Sequence, residues 1–166
     1  MTLSKVFLVT CLNISCLLGA LAETPSVKVP RLLQGFSEGY LEVGDNDRIP
    51  LRVARSEDEL TQGVSGVLDF EMPLSLGVYF DFGNMGKRTM WMPNTYFDLD
   101  LYCFDERGKL TDRILGLKKH PGHSEPPKIP VGKTMRCRSI LELKVGHPWS
   151  KRLKIGQVYP FRSEKP

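Results

Sequence analysis

Apolar and polar positions alternate along most of the chain with the two-residue period of β-strands, and only briefly with the longer period of helices. In "GYLEVGDNDRIPLRVAR", Leu41 and Val43, then Ile49, Leu51 and Val53, share a phase around the turn formers Gly44 to Asp47. That pattern predicts a β-hairpin. The next stretch, "RSEDELTQG", changes character: Ser56 with Glu59 three residues on fits a capping box, acids occupy the positive end of a helix, and Gly63 ends it. "SLGVYFDFGN" predicts a strand closed by Gly83 and Asn84, and "TMWMPNTYFDLDLYCF" predicts the next, ending in a turn at Gly108. Within it, Pro93 imposes an edge or a bend on Trp91 and Met92. "KLTDRILGL" and "MRCRSILELKV" are further strands, separated by "KKHPGHSEPPKIPVGK", whose prolines and glycines predict a long surface loop. "HPWSKRLKIG" starts with Pro148 and ends at Gly156, the polarity of a second short helix, and "QVYPF" is a last strand. The fold class is therefore mainly β (α+β), a compact sheet or small barrel of about seven short strands with two short helices.

The N-terminus obeys a different rule. Met1–Ala22 has a basic start at Lys5, an apolar run, and Ala20-Leu21-Ala22 before Glu23, the order of a cleaved secretory signal peptide. Thr10, Asn13 and Ser15 interrupt the run, which falls short of the ~20 clean apolar residues of a membrane span. Cys11 and Cys16 lie in the run but lack the Leu-small-small context of a lipoprotein. The expected organisation is a signal peptide over 1–22, a flexible leader over 23–38, one β-rich domain over 39–162, and a tail over 163–166. The product is expected to be periplasmic or secreted, with no transmembrane span in the mature chain.

The formal net charge of +4 conceals an asymmetry. Residues 23–108 hold eight Lys and Arg against fifteen Asp and Glu, whereas residues 109–166 hold fourteen against four. In an exported protein a basic half points to an anionic envelope polysaccharide or a lipid head group rather than to nucleic acid. The alternative is that the two halves interleave in one fold and neutralise each other.

The run "WMPNTYFDLDLYCFDERGKL" resembles the signature of the domain-of-unknown-function 192 family (UPF0127), with Trp91, Met92, Asn94, Thr95, Leu99, Asp100, Asp105 and Gly108 in register. "VARSEDELTQGVSG", "GVYFDF", "ILELKVG" and "LKIGQV" fall where that family has its capped helix and its flanking strands, so the resemblance spans about Ile49–Val158. Pro93, Asp98, Cys103, Val64-Ser65 and Gln157 depart from the pattern. The resemblance implies a compact β-rich fold, often exported, with no reaction attached to it.

The candidate chemistry centres on the same run. Trp91 offers an aromatic face for a sugar or ring, and with Met92, Asn94, Thr95 and Asp100 it makes up a candidate binding lip. The opposing reading has Trp91 and Met92 filling the core, with Asn94 and Thr95 stapling a bend. Asp98 and Asp100 share a strand phase, as a glycosidase pair or a hard-cation site would require, but only Asp100 keeps the family pattern. His120-Pro121-Gly122-His123 has two imidazoles without an evident third ligand, and reads as loop. Cys103 and Cys137 both sit on apolar phases, either as small buried side chains or as a disulfide between neighbouring strands. No Gly-x-Ser-x-Gly elbow, phosphate loop or dinucleotide fingerprint occurs, and no cofactor is expected. The leading expectation is a non-catalytic exported binding module for an unknown ligand. The alternatives are a small envelope hydrolase using Asp100 with a second acid such as Glu142, or a subunit of an exported assembly.

Overall fold

The computed structural model describes residues 27–122 and 128–164, so the proposed signal peptide and His123 lie outside the described residues. The predicted hairpin forms from β1 (Ser37–Glu42) and β2 (Arg48–Ala54), which pair antiparallel with Leu41 opposite Ile49. Helix α1 (Glu57–Gln62) follows, and its capping box is complete: Ser56 Oγ accepts the Glu59 N–H, while Glu59 Oε2 accepts the Ser56 N–H at 2.9 Å. The helix carries the chain over to β3 (Gly77–Arg88), which lies parallel to β2. A parallel neighbour needs such a crossover, since no tight turn can join two strands running the same way.

Strands β4 (Leu99–Phe104), β5 (Leu110–Leu117), β6 (Met135–Lys144) and β7 (Phe161–Ser163) complete one seven-stranded mixed sheet in the order β5-β4-β6-β3-β2-β1-β7. The sheet is open, with β5 and β7 at its edges, and is not closed into a barrel. Residues 156–160 cross one end of it, where Tyr159 N–H donates to Gly108 O and Leu110 N–H to Gln157 O.

Both faces of the sheet are covered. Val78, Phe80, Leu101, Cys103, Cys137 and Ile140 belong to one buried cluster, and Leu51, Tyr79, Tyr102, Phe104, Leu141 and Leu143 to the other. Strand β4 is buried at every position, which is why its sequence "LDLYCF" does not alternate cleanly. Cys103 and Cys137 face each other on the first side and are joined as a disulfide, with Cα atoms 5.4 Å apart.

Four sequence expectations are corrected. No helix forms over "HPWSKRLKIG"; the segment is a run of turns. Tyr102 Oη donates to Ser150 O and Arg113 Nη1 to Leu153 O, so side chains from β4 and β5 bind carbonyls of this segment. Strand β3 does not stop at Gly83-Asn84 but continues to Arg88 through a bulge between Asp81 and Gly86. Only the last six residues of "TMWMPNTYFDLDLYCF" are a strand, because residues 89–98 bend as the Pro93 argument anticipates. The end of the expected leader is packed: Leu33, in a 3-10 turn (Arg31–Leu33), is fully buried and Phe36 nearly so.

The two charge halves interleave. Basic-half strands β5, β6 and β7 lie between or beside acidic-half strands, and Arg138–Asp81, Lys118–Asp98, Lys144–Asp69 and Arg162–Glu42 ion pairs join one half to the other.

Candidate functional site

The bend over residues 89–98 forms one wall of a cleft, and the end of α1 forms the other. Gly63 leaves the helix at φ 45° with its N–H on Glu59 O, a backbone state that a side chain would oppose. Gly66 N–H then donates to Asn94 O at 2.9 Å, tying the two walls together. Asn94 itself stands at φ 49°, the left-handed region that Asn tolerates better than most residues. Thr95 exchanges both backbone hydrogen bonds with His120, at 3.1 and 2.9 Å, and its hydroxyl donates to Pro93 O. Met92 N–H donates to Pro130 O and Gly132 N–H to Met90 O, so residues 130–132 hold the bend from outside. The bend thus makes few contacts with a regular ladder and takes its shape from loop-to-loop bonds.

Glu142 is the floor of this cleft. It lies in mid-strand on β6, directly opposite Val78 of β3 on one side and Leu101 of β4 on the other. It is 4 % exposed, and its Oε2 is buried without a hydrogen-bond partner among the described residues. Burial pushes its carboxyl up to about 8, with no nearby charge contributing. Thr95, Leu99 and Phe80 stand around it, Gln62 and Ser65 border the α1 side, and Trp91, half exposed, stands at the mouth. Among the described residues, no Lys, Arg, His or Asp lines the cleft. The space within it is about 40 Å³, enough for roughly three water-sized groups and far below what a whole drug-sized ligand fills. It can therefore admit a substituent, not a ring.

The structure separates the residues that the sequence grouped. Trp91 and Thr95 line the cleft. Met92 is 1 % exposed and belongs to the core, as the opposing reading had it. Asn94 shapes the wall through its backbone, and its Oδ1 is buried without a partner among the described residues. Asp100 belongs elsewhere: it is opposite Leu143, one position out of step with Glu142, and so lies on the other face of the sheet. There its Oδ1 accepts the Gly116 N–H at 2.7 Å, satisfying the backbone at a bulge between β4 and β5. Asp98 precedes the strand and pairs with Lys118 at 2.8 Å, with the Lys119 N–H on its other oxygen. Lys118 and Lys119 hold its carboxyl below the usual range. Asp98 and Asp100 are thus each committed to their own partners beside β5, and the Asp100–Glu142 pair is not assembled.

Sequence reasoning named Glu142 only as a companion to Asp100. In "SILELKV", Glu142 and Lys144 alternate with Leu141 and Leu143 as on a solvated strand face, so the only hint of burial is that Ile140 shares the phase of Glu142.

Comparison with known proteins agrees with this geometry at the level of fold. No curated protein matches the chain. The structure resembles a protein of Sinorhizobium meliloti 1021 described as a "putative transcription regulator", with a TM-score of 0.58 at 23 % identity over 77 % of this chain and 95 % of that one. It also resembles a protein of unknown function from Novosphingobium aromaticivorans, with a TM-score of 0.52 at 18 % identity over 74 % of this chain and 83 % of that one. At such identities the likeness concerns the fold alone. The profile of the DUF192 family, described as "Uncharacterized ACR", matches residues 40–160, and the chain belongs to that family.

Proposed function

We propose that the protein is a non-catalytic, exported binding module that takes an uncharged saccharide of the cell envelope at the Trp91 cleft. The observation that carries this reading is the half-exposed Trp91 at the mouth of a cleft whose floor is a buried, unpaired carboxyl group. An indole face stacks on the apolar face of a sugar ring, while the polar floor meets one of its substituents. A cleft without cations gives an anion nothing to pair with, so an anionic polysaccharide or lipid head group fits it poorly. The interleaving of the charge halves also pairs part of the basic half with acids of the other half, which favours an uncharged partner. Export is supported by the signal-like sequence of Met1–Ala22 and by the Cys103–Cys137 bridge, which suits an oxidising compartment. The separation of Asp100 from Glu142 leaves the hydrolase alternative without its second acid.

Purified envelope fractions provide the test. The protein is expected to sediment with them at low and moderate salt alike, and Trp91→Ala is expected to abolish this. Retention that persists in Trp91→Ala, or that salt alone removes, would count against the cleft as the binding site.

A further inference from the structure

The cleft has one polar group on its floor, and its surroundings restrict what that group can recognise. Glu142 is enclosed by Val78 and Phe80 from β3, Leu99 and Leu101 from β4, Leu60 near the end of α1, and Thr95 from the bend. None of these carries a charge. The Thr95 hydroxyl is turned to Pro93 O, at 3.1 Å, so the bend offers Glu142 no fixed donor. A carboxylate held there would be a desolvated anion with no counter-charge and no hydrogen bond, which is costly. A carboxylic acid held there instead has one proton to give and one lone-pair oxygen to offer.

Resting on the reading of the cleft as a saccharide site, we propose that Glu142 is its recognition group, donating a carboxyl proton to an uncharged oxygen of a sugar substituent while the ring lies on Trp91. The ligand class is thus an uncharged sugar whose hydroxymethyl, hydroxyl or acetamido group enters the roughly 40 Å³ space. Amino sugars and other cations are disfavoured, since capturing one requires the carboxyl first to ionise where nothing else stabilises the charge. The buried position that keeps the acid neutral also sets a pH limit. Burial raises the carboxyl to about 8, so donation persists through neutral pH and is withdrawn above it.

The test titrates the whole mature protein with chitotriose and with its deacetylated, cationic counterpart, following the Trp91 indole by fluorescence and the Glu142 carboxyl carbon by NMR. Chitotriose is expected to bind equally well at pH 5.5 and 7, to weaken at least tenfold by pH 9.5, and to shift both signals. Glu142→Gln, which keeps a donor, is expected to bind with no such pH dependence, and Glu142→Leu to lose binding while remaining folded. Loss of binding in Trp91→Ala with normal binding in Glu142→Leu would overturn the role of Glu142 and leave the cleft standing. Preferential binding of the cationic sugar, or a Glu142 carbon that titrates below pH 5, would do the same. Failure of chitotriose to bind, or normal binding in both variants, would overturn the saccharide cleft together with the inference.

Discussion

Asp100 and Glu142 occupy adjacent strands one step out of register: Leu101 lies opposite Glu142, and Leu143 opposite Asp100. Side chains alternate between faces at every residue, so this single step sends the two carboxyl groups to opposite sides of the sheet. One acid ties down a bulge, and the other floors a cleft. They have separate jobs and should respond separately to mutation.

Asp100→Ala leaves the Gly116 N–H without its acceptor at a part-buried bulge. The expected loss is about 1–3 kcal/mol of folding stability, the cost of a buried donor left unsatisfied. Urea unfolding measures this, and saccharide binding at the cleft should be unchanged in the folded variant. A stable variant that has lost binding would assign Asp100 to the site after all.

Glu142 gives stability an unusual slope with pH. Its folded value of about 8 lies above the ordinary value of 4.5 that describes the unfolded chain. Between those values the unfolded chain releases a proton that the folded one retains, so stability falls as pH rises from about 4.5 to 8 and then levels off. The effect is on the order of 5 kcal/mol. Urea midpoints at pH 5 and pH 8.5 should therefore differ more in the wild type than in Glu142→Gln. Parallel pH profiles for the two proteins would remove this account of the floor.

The Cys103–Cys137 bridge closes a loop with a sequence separation of 34. Restricting the unfolded chain over that length stabilises by about 4 kcal/mol. The double substitution Cys103→Ala with Cys137→Ala should lose most of that in urea, and reductant should destabilise only the wild type. The exported protein should show no free thiol by mass spectrometry. Two free thiols, or a midpoint insensitive to reductant, would contradict the bridge.

Gly63 is strained for any other residue and is close to the cleft. A Cβ there would stand 2.8 Å from the Phe80 ring, and φ 45° with ψ −130° is a glycine conformation. Gly63→Ala should cost about 1–3 kcal/mol and push Phe80 toward the floor, weakening binding as well. A variant with wild-type stability would show that the α1 end can relax, which the tie between Gly66 and Asn94 opposes.

The sequence by itself determined what local chemistry can encode. Period-two alternation specified the hairpin and most of β3, β5 and β6, and Ser56 with Glu59 specified the start of α1, because these signals act between residues a few positions apart. The run from Trp91 to Gly108 carried the family. The tertiary structure decided the rest. The turns that "HPWSKRLKIG" adopts are held by Tyr102 and Arg113, residues distant in sequence that bond to its carbonyls. Whether Asp100 met Glu142 depended on the register of β4 against β6, which alternation leaves free when both faces of a strand are buried. The cleft itself joins α1, β3, β4, β6 and the bend at Trp91, and no period in one strand can state which of its buried side chains will face a gap. Glu142 was visible as an acid among apolar neighbours, and only packing made it the floor of a site.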